Sequence, residues 1–217
     1  MITVNRFILG EIETNTYVLE SNGVCAVVDP AEESQELLSY LKGKNVKYIL
    51  LTHGHFDHIS GVNSIVKETG AKVCIHSLDG EMLQDGNKSR YELHFGGIQS
   101  EIKADMLLND NDEITLGETV IHVMHTPGHT NGSVCYILQN ERIIFSGDTL
   151  FRLSAGRTDL AGISPVLAAR NELESLQKLA QLSGDFRVLP GHEEETTLQF
   201  ERENNRYMRG RNASYSY

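Results

Sequence analysis

The apolar positions of this chain fall into short runs separated by turn-forming residues, a pattern that predicts strands alternating with helices. In the first half, strands are predicted over 17–19, 24–28, 46–52 and 72–76, with helical segments over 37–41, after residue 58 and over 78–83. In the second half, strands are predicted over 118–124, 133–138, 142–145 and 187–189. The stretch 84–104 loses periodicity, which favours a loop, and we expect it near the mouth of a site.

The longest helix is predicted to begin at Ser164-Pro165 and to end before Gly184, because Pro favours a first helical turn and Gly a helix end. Helical spacing of its apolar residues predicts one buried face. That face would comprise Val166, Ala169, Leu173, Leu176, Leu179, Ala180 and Leu182.

Length and composition favour one folded domain. The 217 residues are 40% hydrophobic and no linker divides them, so we expect a single domain over 1–207 and a frayed tail over 208–217. The net charge of −11 argues against nucleic acid and anionic membranes as partners and favours a small-molecule substrate. The oligomeric state stays open.

The chain also gives indications of its compartment. We expect neither a membrane span nor a secretory leader, because no window approaches 18 uncharged apolar residues and residues 1–6 lack a charged segment followed by a long apolar stretch. Cys25, Cys74 and Cys135 each lie within apolar runs, which favours buried thiols in a reducing environment. We therefore expect a cytoplasmic protein.

A dense group of metal-binding side chains follows one predicted strand. Residues 53–58 read His-Gly-His-Phe-Asp-His. In an extended loop, His53 and His55 project to the same side, so both imidazoles could bind one ion. Asp57 and His58 lie further along, where the chain turns into a helix, and could serve a second ion. Isolated surface histidines beside a capping Asp are the alternative.

Three other predicted strands also end in potential ligands, in the segments Thr126-Pro127-Gly128-His129, Gly147-Asp148 and Pro190-Gly191-His192. Loops at one end of a sheet can converge on a common site. Each ligand candidate follows a Gly, which permits close backbone approach. We expect the four loops to meet.

These motifs carry a family resemblance. Thr-His-Gly-His-Phe-Asp-His, Thr-Pro-Gly-His-Thr, Gly-Asp-Thr-Leu-Phe and Leu-Pro-Gly-His resemble the metallo-β-lactamase-fold hydrolase superfamily, and most closely its glyoxalase II-like (hydroxyacylglutathione hydrolase-like) branch. The resemblance implies an α/β fold, a four-layer αβ/βα sandwich of two mixed β-sheets flanked by helices, with metals along one edge. Since 25 residues follow His192, we do not expect that branch's C-terminal glutathione-binding domain, and glutathione specificity is not implied.

The resemblance also implies a ligand set. His53, His55 and His129 would hold one divalent ion, Asp57, His58 and His192 a second, and Asp148 would bridge them. Such nitrogen and oxygen ligands suit Zn²⁺ first, with Fe or Mn²⁺ as alternatives.

The expected activity is hydrolysis of a thioester or related acyl bond by a metal-bound hydroxide, because two cations lower the pKa of a shared water from about 15.7 towards about 7. Asp57 and Asp148 are the candidate catalytic residues, Asp57 also orienting the water. Arg157 is a candidate substrate contact, with a salt bridge inside its own loop as the alternative.

Several alternatives stay open. Gly-Arg-Thr-Asp at 156–159 also resembles a persulfide dioxygenase, in which His53, His129 and Asp148 would hold one iron. A lactonase and a non-catalytic metal-binding protein are further alternatives. Asp29 is expected to brace the metal loops or to form a plain turn. His76 and His125 are expected to make structural hydrogen bonds, and support of the metal ligands from outside is the alternative. Glu193–Glu195 are expected to form a solvated helix start or to place negative charge near the pocket.

Overall fold

The computed structural model describes residues 2–209, which form two six-stranded sheets. The first sheet has the order β1-β2-β3-β4-β5-β6. Its strands are β1 (Ile2–Leu9), β2 (Thr14–Ser21), β3 (Val24–Val28), β4 (Asn45–Leu50), β5 (Lys72–His76) and β6 (Met106–Leu108). The strands β1 to β3 are antiparallel and β3 to β6 are parallel, so the sheet is mixed.

Helical segments connect the parallel strands, as crossover connections require. They are α1 (Gln35–Leu41), α2 (Phe56–Ile59), α3 (Val62–Thr69), a 3₁₀ helix (Ser77–Leu83) and α4 (Tyr91–Phe95). Ser34 begins α1 by accepting a hydrogen bond from the backbone N–H of Leu37, and Gly70 ends α3 in the left-handed conformation.

The second sheet has the order β14-β13-β10-β9-β8-β7 and is also mixed, since only β10 and β13 pair in parallel. Its strands are β7 (Glu113–Leu116), β8 (Thr119–His125), β9 (Val134–Leu138), β10 (Ile143–Gly147), β13 (Arg187–Pro190) and β14 (Thr196–Thr197). A small hairpin, β11 (Leu150–Phe151) and β12 (Ser154–Ala155), follows β10. The helices are α5 (Pro165–Ala180) and α6 (Leu198–Asn204).

Three apolar cores separate four layers. Leu37 of α1 and Ile65 of α3 pack on the outer face of the first sheet. Tyr17 and Phe145 lie between the sheets with their rings edge to face at 5.3 Å. Leu176 of α5 belongs to the core on the outer face of the second sheet. The predicted four-layer αβ/βα sandwich is therefore confirmed.

The long helix α5 forms as predicted, but its buried face is different. Val166 is 82% exposed and Leu173 is 43% exposed, while Ala168, Glu172, Ser175, Leu176 and Leu179 are buried. The prediction is confirmed for Leu176 and Leu179, which are buried, and for Ala180 and Leu182, which pack against the same core. It was wrong for Val166 and Leu173, because the polar side chains of Glu172 and Ser175 turn inward instead. Both bond to the loop that carries His129.

Smaller differences concern the ends of the chain and the irregular stretch. The predicted tail begins at Met208, yet that side chain is buried in the core beneath α5 and its carbonyl accepts a hydrogen bond from Gln177 Nε2 at 2.8 Å. Residues 210–217 of the predicted tail lie outside the described residues.

The stretch 84–104 contains the helix α4. The predicted burial of Cys25, Cys74 and Cys135 is confirmed. Across residues 2–209, no helix has the length and apolar character needed to cross a membrane.

Candidate metal centre

The seven predicted ligands converge at one edge of the sandwich, where strands of both sheets end. Four of them follow strand β4. Of the others, His129 follows β8, Asp148 follows β10 and His192 follows β13. Their ligand atoms form three overlapping groups, each with all atoms within 4.8 Å of one another. The groups are His53, His55 and His129; His53, His58 and Asp148; and Asp57, His58 and His192. The two sheets thus contribute to one cluster.

The first group is built from imidazoles. His55 Nδ1 lies 2.9 Å from His129 Nε2, and His129 Nε2 lies 3.4 Å from Asp148 Oδ2. Ligands at about 2.0–2.1 Å in a tetrahedral zinc site stand about 3.3 Å apart, so these separations suit one metal ion.

The group of Asp57, His58 and His192 combines imidazoles with a carboxylate. His192 Nε2 lies 3.2 Å from Asp57 Oδ2 and 3.3 Å from His58 Nε2. Asp148 contacts both groups, because its Oδ1 lies 3.4 Å from His58 Nε2 while its Oδ2 faces His129. This carboxylate therefore lies between the two groups.

Buried atoms without hydrogen-bond partners test whether metals fit this cluster. Two atoms of the cluster, His53 Nε2 and Asp148 Oδ1, are buried and unpartnered. Such atoms cost free energy unless something binds them, and a divalent cation is a partner for their lone pairs. The donor set of imidazole and carboxylate also matches zinc, iron and manganese. The residues fit two divalent ions.

The remaining ring nitrogens of four histidines are held by outer contacts, which fix each Nε2 toward the cluster. These contacts are Thr52 Oγ1 at 3.2 Å for His53, Asp29 Oδ2 at 3.0 Å for His58, the Arg157 carbonyl at 2.9 Å for His129, and the Ile12 carbonyl at 3.2 Å for His192.

Asp29 makes the bracing contacts that were one of its two predicted roles. Its Oδ1 accepts a hydrogen bond from the backbone N–H of Thr52 at 2.8 Å, and its Oδ2 accepts one from Thr52 Oγ1 at 2.6 Å. The same Oδ2 contacts His58. This buried carboxylate therefore fixes both ends of the His53–His58 loop.

Asp79, in the 3₁₀ helix, is a second brace that the sequence analysis missed. It is 1% exposed and accepts hydrogen bonds from Gly54 N at 3.2 Å, Thr130 Oγ1 at 2.7 Å and Gly132 N at 2.8 Å. It joins the loop of His53 and His55 to the loop of His129.

Glu172, on α5, supports the His129 loop from below and was also missed. One of its oxygens accepts a hydrogen bond from the His129 backbone N–H at 3.1 Å, and Ser175 Oγ donates to the Pro127 carbonyl at 2.8 Å. A Cβ at Gly128 would lie 2.5 Å from Glu172 Cα, so only Gly fits there. Burial raises the pKa of Glu172 to about 9.

Electrostatics keep His53 and His55 neutral and the Asp148 carboxylate charged. Burial, reinforced by neighbouring imidazoles, lowers the pKa of His53 well below its usual value and that of His55 to about 3. Neutral imidazole is the form that binds metal. Burial opposes the charge of Asp148, but the imidazoles of His58 and His129 outweigh it and hold the pKa of Asp148 well below its usual range.

A cleft of about 590 Å³ opens over the cluster and is lined by Asp57, Asp148 and His192. Arg157 also lines this cleft, but its guanidinium pairs with Asp159 at 2.6 and 2.8 Å. The loop salt bridge predicted as the alternative for Arg157 is therefore the arrangement present. The 84–104 stretch reaches the cleft mouth through α4, as expected.

The predicted helix start at Glu193–Glu195 was wrong, because Glu193 lies in a bend and the next two residues form an irregular segment before β14. Glu194 pairs with Arg152 at 2.7 Å and Glu195 with Arg187 at 2.9 Å, so each of these two negative charges has an arginine partner. Glu193 alone of the three lines the cleft.

His76 and His125 lie apart from the ligand cluster, with their rings stacked at 4.2 Å. His76 Nδ1 accepts a hydrogen bond from Leu78 N, and His125 Nε2 contacts the Asn131 carbonyl. Their roles are structural.

A four-layer sandwich with a His and Asp cluster at one edge defines a class of metal-binding, hydrolase-like proteins. Residues 9–192 match the family model described as the Metallo-beta-lactamase superfamily. The chain belongs to this superfamily.

Two sequence relatives illustrate the range of this family. The probable metallo-hydrolase YqgX of Bacillus subtilis is 33% identical over 209 residues, covering 94% of this chain and 97% of that protein. A hydroxyacylglutathione hydrolase of Pelagibacter ubique is 30% identical over 176 residues, covering 80% of this chain but 63% of that enzyme.

Two solved structures share the fold at similar identity. The BLEG-1 B3 metallo-beta-lactamase matches with a TM-score of 0.88 and 34% identity, covering 96% of this chain and all 100% of that one. TTHA1623 in a di-iron-bound form matches with a TM-score of 0.81 and 32% identity, covering 94% and 99% of the two chains.

Proposed function

We propose that this protein is a dinuclear metal-dependent hydrolase that opens a thioester or related acyl bond of a small molecule, as glyoxalase II-like enzymes do. The observation that carries this proposal is the position of Asp148. Its carboxylate faces both ligand groups, and its buried Oδ1 lacks a hydrogen-bond partner. One carboxylate that faces two ligand groups suits a pair of neighbouring ions.

Seven residues hold the ions in this proposal. His53, His55 and His129 would hold one, Asp57, His58 and His192 would hold the other, and Asp148 would serve both. Zinc is the first expectation, and the di-iron form of TTHA1623 makes iron the leading alternative. When bound, such ions activate a water for attack and polarise the substrate carbonyl.

The protein's own groups orient the reaction. Asp57 lies in the first turn of α2, lines the cleft and contacts His192 at 3.2 Å. Burial opposes its charge, but His58 and His192 outweigh burial and lower the pKa of Asp57. Asp57 is therefore a carboxylate at neutral pH and can accept a hydrogen bond from the attacking water.

Two observations support an acyl compound as the substrate: the activity of a relative and the net charge of this chain. The hydroxyacylglutathione hydrolase belongs to the same family, but this chain covers 63% of that enzyme. We therefore propose cleavage of a thioester bond and do not propose glutathione as the thiol. The net charge of −11 disfavours nucleic acid as a substrate.

Metal analysis combined with a small substrate panel tests this function. We expect two ions per chain and turnover of at least one thioester. His53→Ala and Asp148→Ala should each lose metal and at least about 100-fold in kcat/KM. His122→Ala, an exposed histidine paired with Glu113, is the matched control and should retain both.

The same panel, extended to lactones and persulfides, separates the alternatives. One iron per chain with oxygen uptake on persulfides would replace the hydrolase with a dioxygenase. Two ions with no turnover of any acyl substrate would refute the substrate class.

A further inference from the structure

Two large apolar side chains stand exposed at the mouth of the cleft. Leu93 of α4 is 77% exposed and Ile12, in the turn between β1 and β2, is 43% exposed, and both line the cleft. Single exposed apolar side chains are ordinary, but two that share one cleft form a surface that an apolar ligand would cover.

The two segments that carry these side chains are neighbours. His94 Nε2, next to Leu93, lies 3.7 Å from Glu11 Oε2, next to Ile12. Phe56 also lines the cleft, and its ring stacks on that of His94 with centroids 4.6 Å apart. Ile12, Phe56 and Leu93 therefore form the apolar rim of the cleft.

The apolar rim is fixed relative to the proposed metal ligands. The Ile12 carbonyl contacts His192 Nδ1 at 3.2 Å, and Phe56 lies between His55 and Asp57 in the chain. The Phe56 backbone N–H also donates to the Ser89 carbonyl at 2.9 Å, which ties α2 to the segment before α4. A group bound on the rim would lie beside the reacting bond.

The cleft lining carries two cations, Arg90 and Arg157, and three carboxylates, Asp57, Asp148 and Glu193. Arg157 pairs with Asp159, and Arg90 contributes to lowering the pKa of that same Asp159. Glu193 adds a negative charge to the lining. The apolar rim is thus the feature of the lining best suited to recognition.

We propose that the apolar rim binds an uncharged hydrocarbon substituent of the substrate, on either the acyl or the thiol side of the scissile bond. This inference rests on the proposed hydrolase function. It makes Leu93 and Ile12 specificity-determining residues, and it assigns the protein to apolar thioesters rather than to peptide-like thiols that carry carboxylates.

Two series of thioesters test the rim. One lengthens the acyl chain from acetyl to butyryl and hexanoyl on a fixed thiol, and the other lengthens an alkyl thiol with a fixed acetyl group. A fully buried methylene improves binding about fourfold, so we expect kcat/KM to rise roughly two- to fourfold per methylene in one series. The series that responds identifies the side of the substrate that the rim contacts.

Substitutions then assign the effect to the rim. Leu93→Ser and Ile12→Ser should flatten the dependence on chain length while the metal content stays at two per chain. Leu107→Ser is the matched control, because Leu107 is 57% exposed on the edge strand β6. It should keep the wild-type slope.

Binding of thioether analogues, which cannot be hydrolysed, keeps this test separate from that of the activity. Affinity that rises with chain length in the wild type, but not in Leu93→Ser, supports the rim even if no thioester is turned over. Flat affinity in the wild type, an unchanged slope in Leu93→Ser, or a preference for carboxylate-bearing thiols would overturn the inference.

Discussion

Replacing Asp79 with Asn is expected to weaken the first ligand group more than the second. The Asp79 carboxylate accepts hydrogen bonds from Gly54, between His53 and His55, and from Thr130 and Gly132, just after His129. Its contacts therefore lie beside the three imidazoles of the first group. His58 is held instead by Asp29.

The size of the effect follows from the hydrogen bonds that Asn can keep. The Asn oxygen can still accept from Gly132 N, and the Thr130 hydroxyl can turn to accept from the new amide. The backbone N–H of Gly54, however, would face another donor. A buried donor left without a partner costs about 1–3 kcal/mol, and loss of a contact that orients metal ligands costs about 10- to 100-fold in metal affinity.

Urea unfolding and chelator competition measure these two quantities. The free energy of unfolding should fall by about 1–3 kcal/mol, and one of the two ions should be released at a lower chelator concentration. Asp110→Asn is the control, because Asp110 is exposed and accepts a hydrogen bond from His125 N at 2.7 Å. It should change stability by about 0.5 kcal/mol or less. Equal weakening of both ions, or no change in either quantity, would refute the reasoning.

Three further substitutions probe other contacts. Gly191→Ala should release metal from both groups, because its Cβ would lie 2.7 Å from His58 Cε1 and press on Asp148; full metal content would contradict this. Glu172→Gln should remove a pH dependence of the free energy of unfolding. Burial raises the Glu172 pKa from 4.5 to about 9, so the stability that this group contributes is fully present below pH 4.5 and is lost as the pH rises through about 9. The wild type should therefore lose stability relative to the Gln variant over that window, and parallel curves would disprove it. Burial and a neighbouring imidazole lower the His76 pKa from 6.5 to about 4, so stability from neutral His76 is complete above pH 6.5 and lost as pH falls toward 4. His76→Gln should flatten the acid limb of unfolding, and an unchanged limb would count against this role.

The ligand cluster could be predicted from the sequence because its signals are local. Each candidate follows the end of an apolar strand, and the six residues 53–58 contain four candidates. Strands of packed sheets end along common edges, so strand ends alone place His129, Asp148 and His192 near this segment. The structure brings all seven together.

The braces could not be predicted, because their signals are tertiary. Asp79 and Glu172 are acidic residues in helical segments, where solvent exposure is the usual expectation. Each is buried only because backbone N–H groups of a distant loop point at it. The inward turn of Glu172 also explains why part of the predicted buried face of α5 was wrong. Val166 and Leu173 fall at helical spacing, yet both side chains are exposed.

The shortest elements were missed for a related reason. The strands β11, β12 and β14 have two residues each, too few to show alternation. They are defined by pairing partners that sequence periodicity does not reveal.

The division of the cluster between two sheets has a consequence for biosynthesis. His58 and His192, whose Nε2 atoms lie 3.3 Å apart, are separated by 134 positions in the chain. At a translation rate of about 5–20 residues per second, the ribosome needs on the order of ten seconds to travel from one to the other. During that interval the His53–His58 loop lacks its partners from the second sheet. In the proposed dinuclear form, full metal occupancy would therefore mark a polypeptide whose synthesis has passed His192 and whose two sheets have docked.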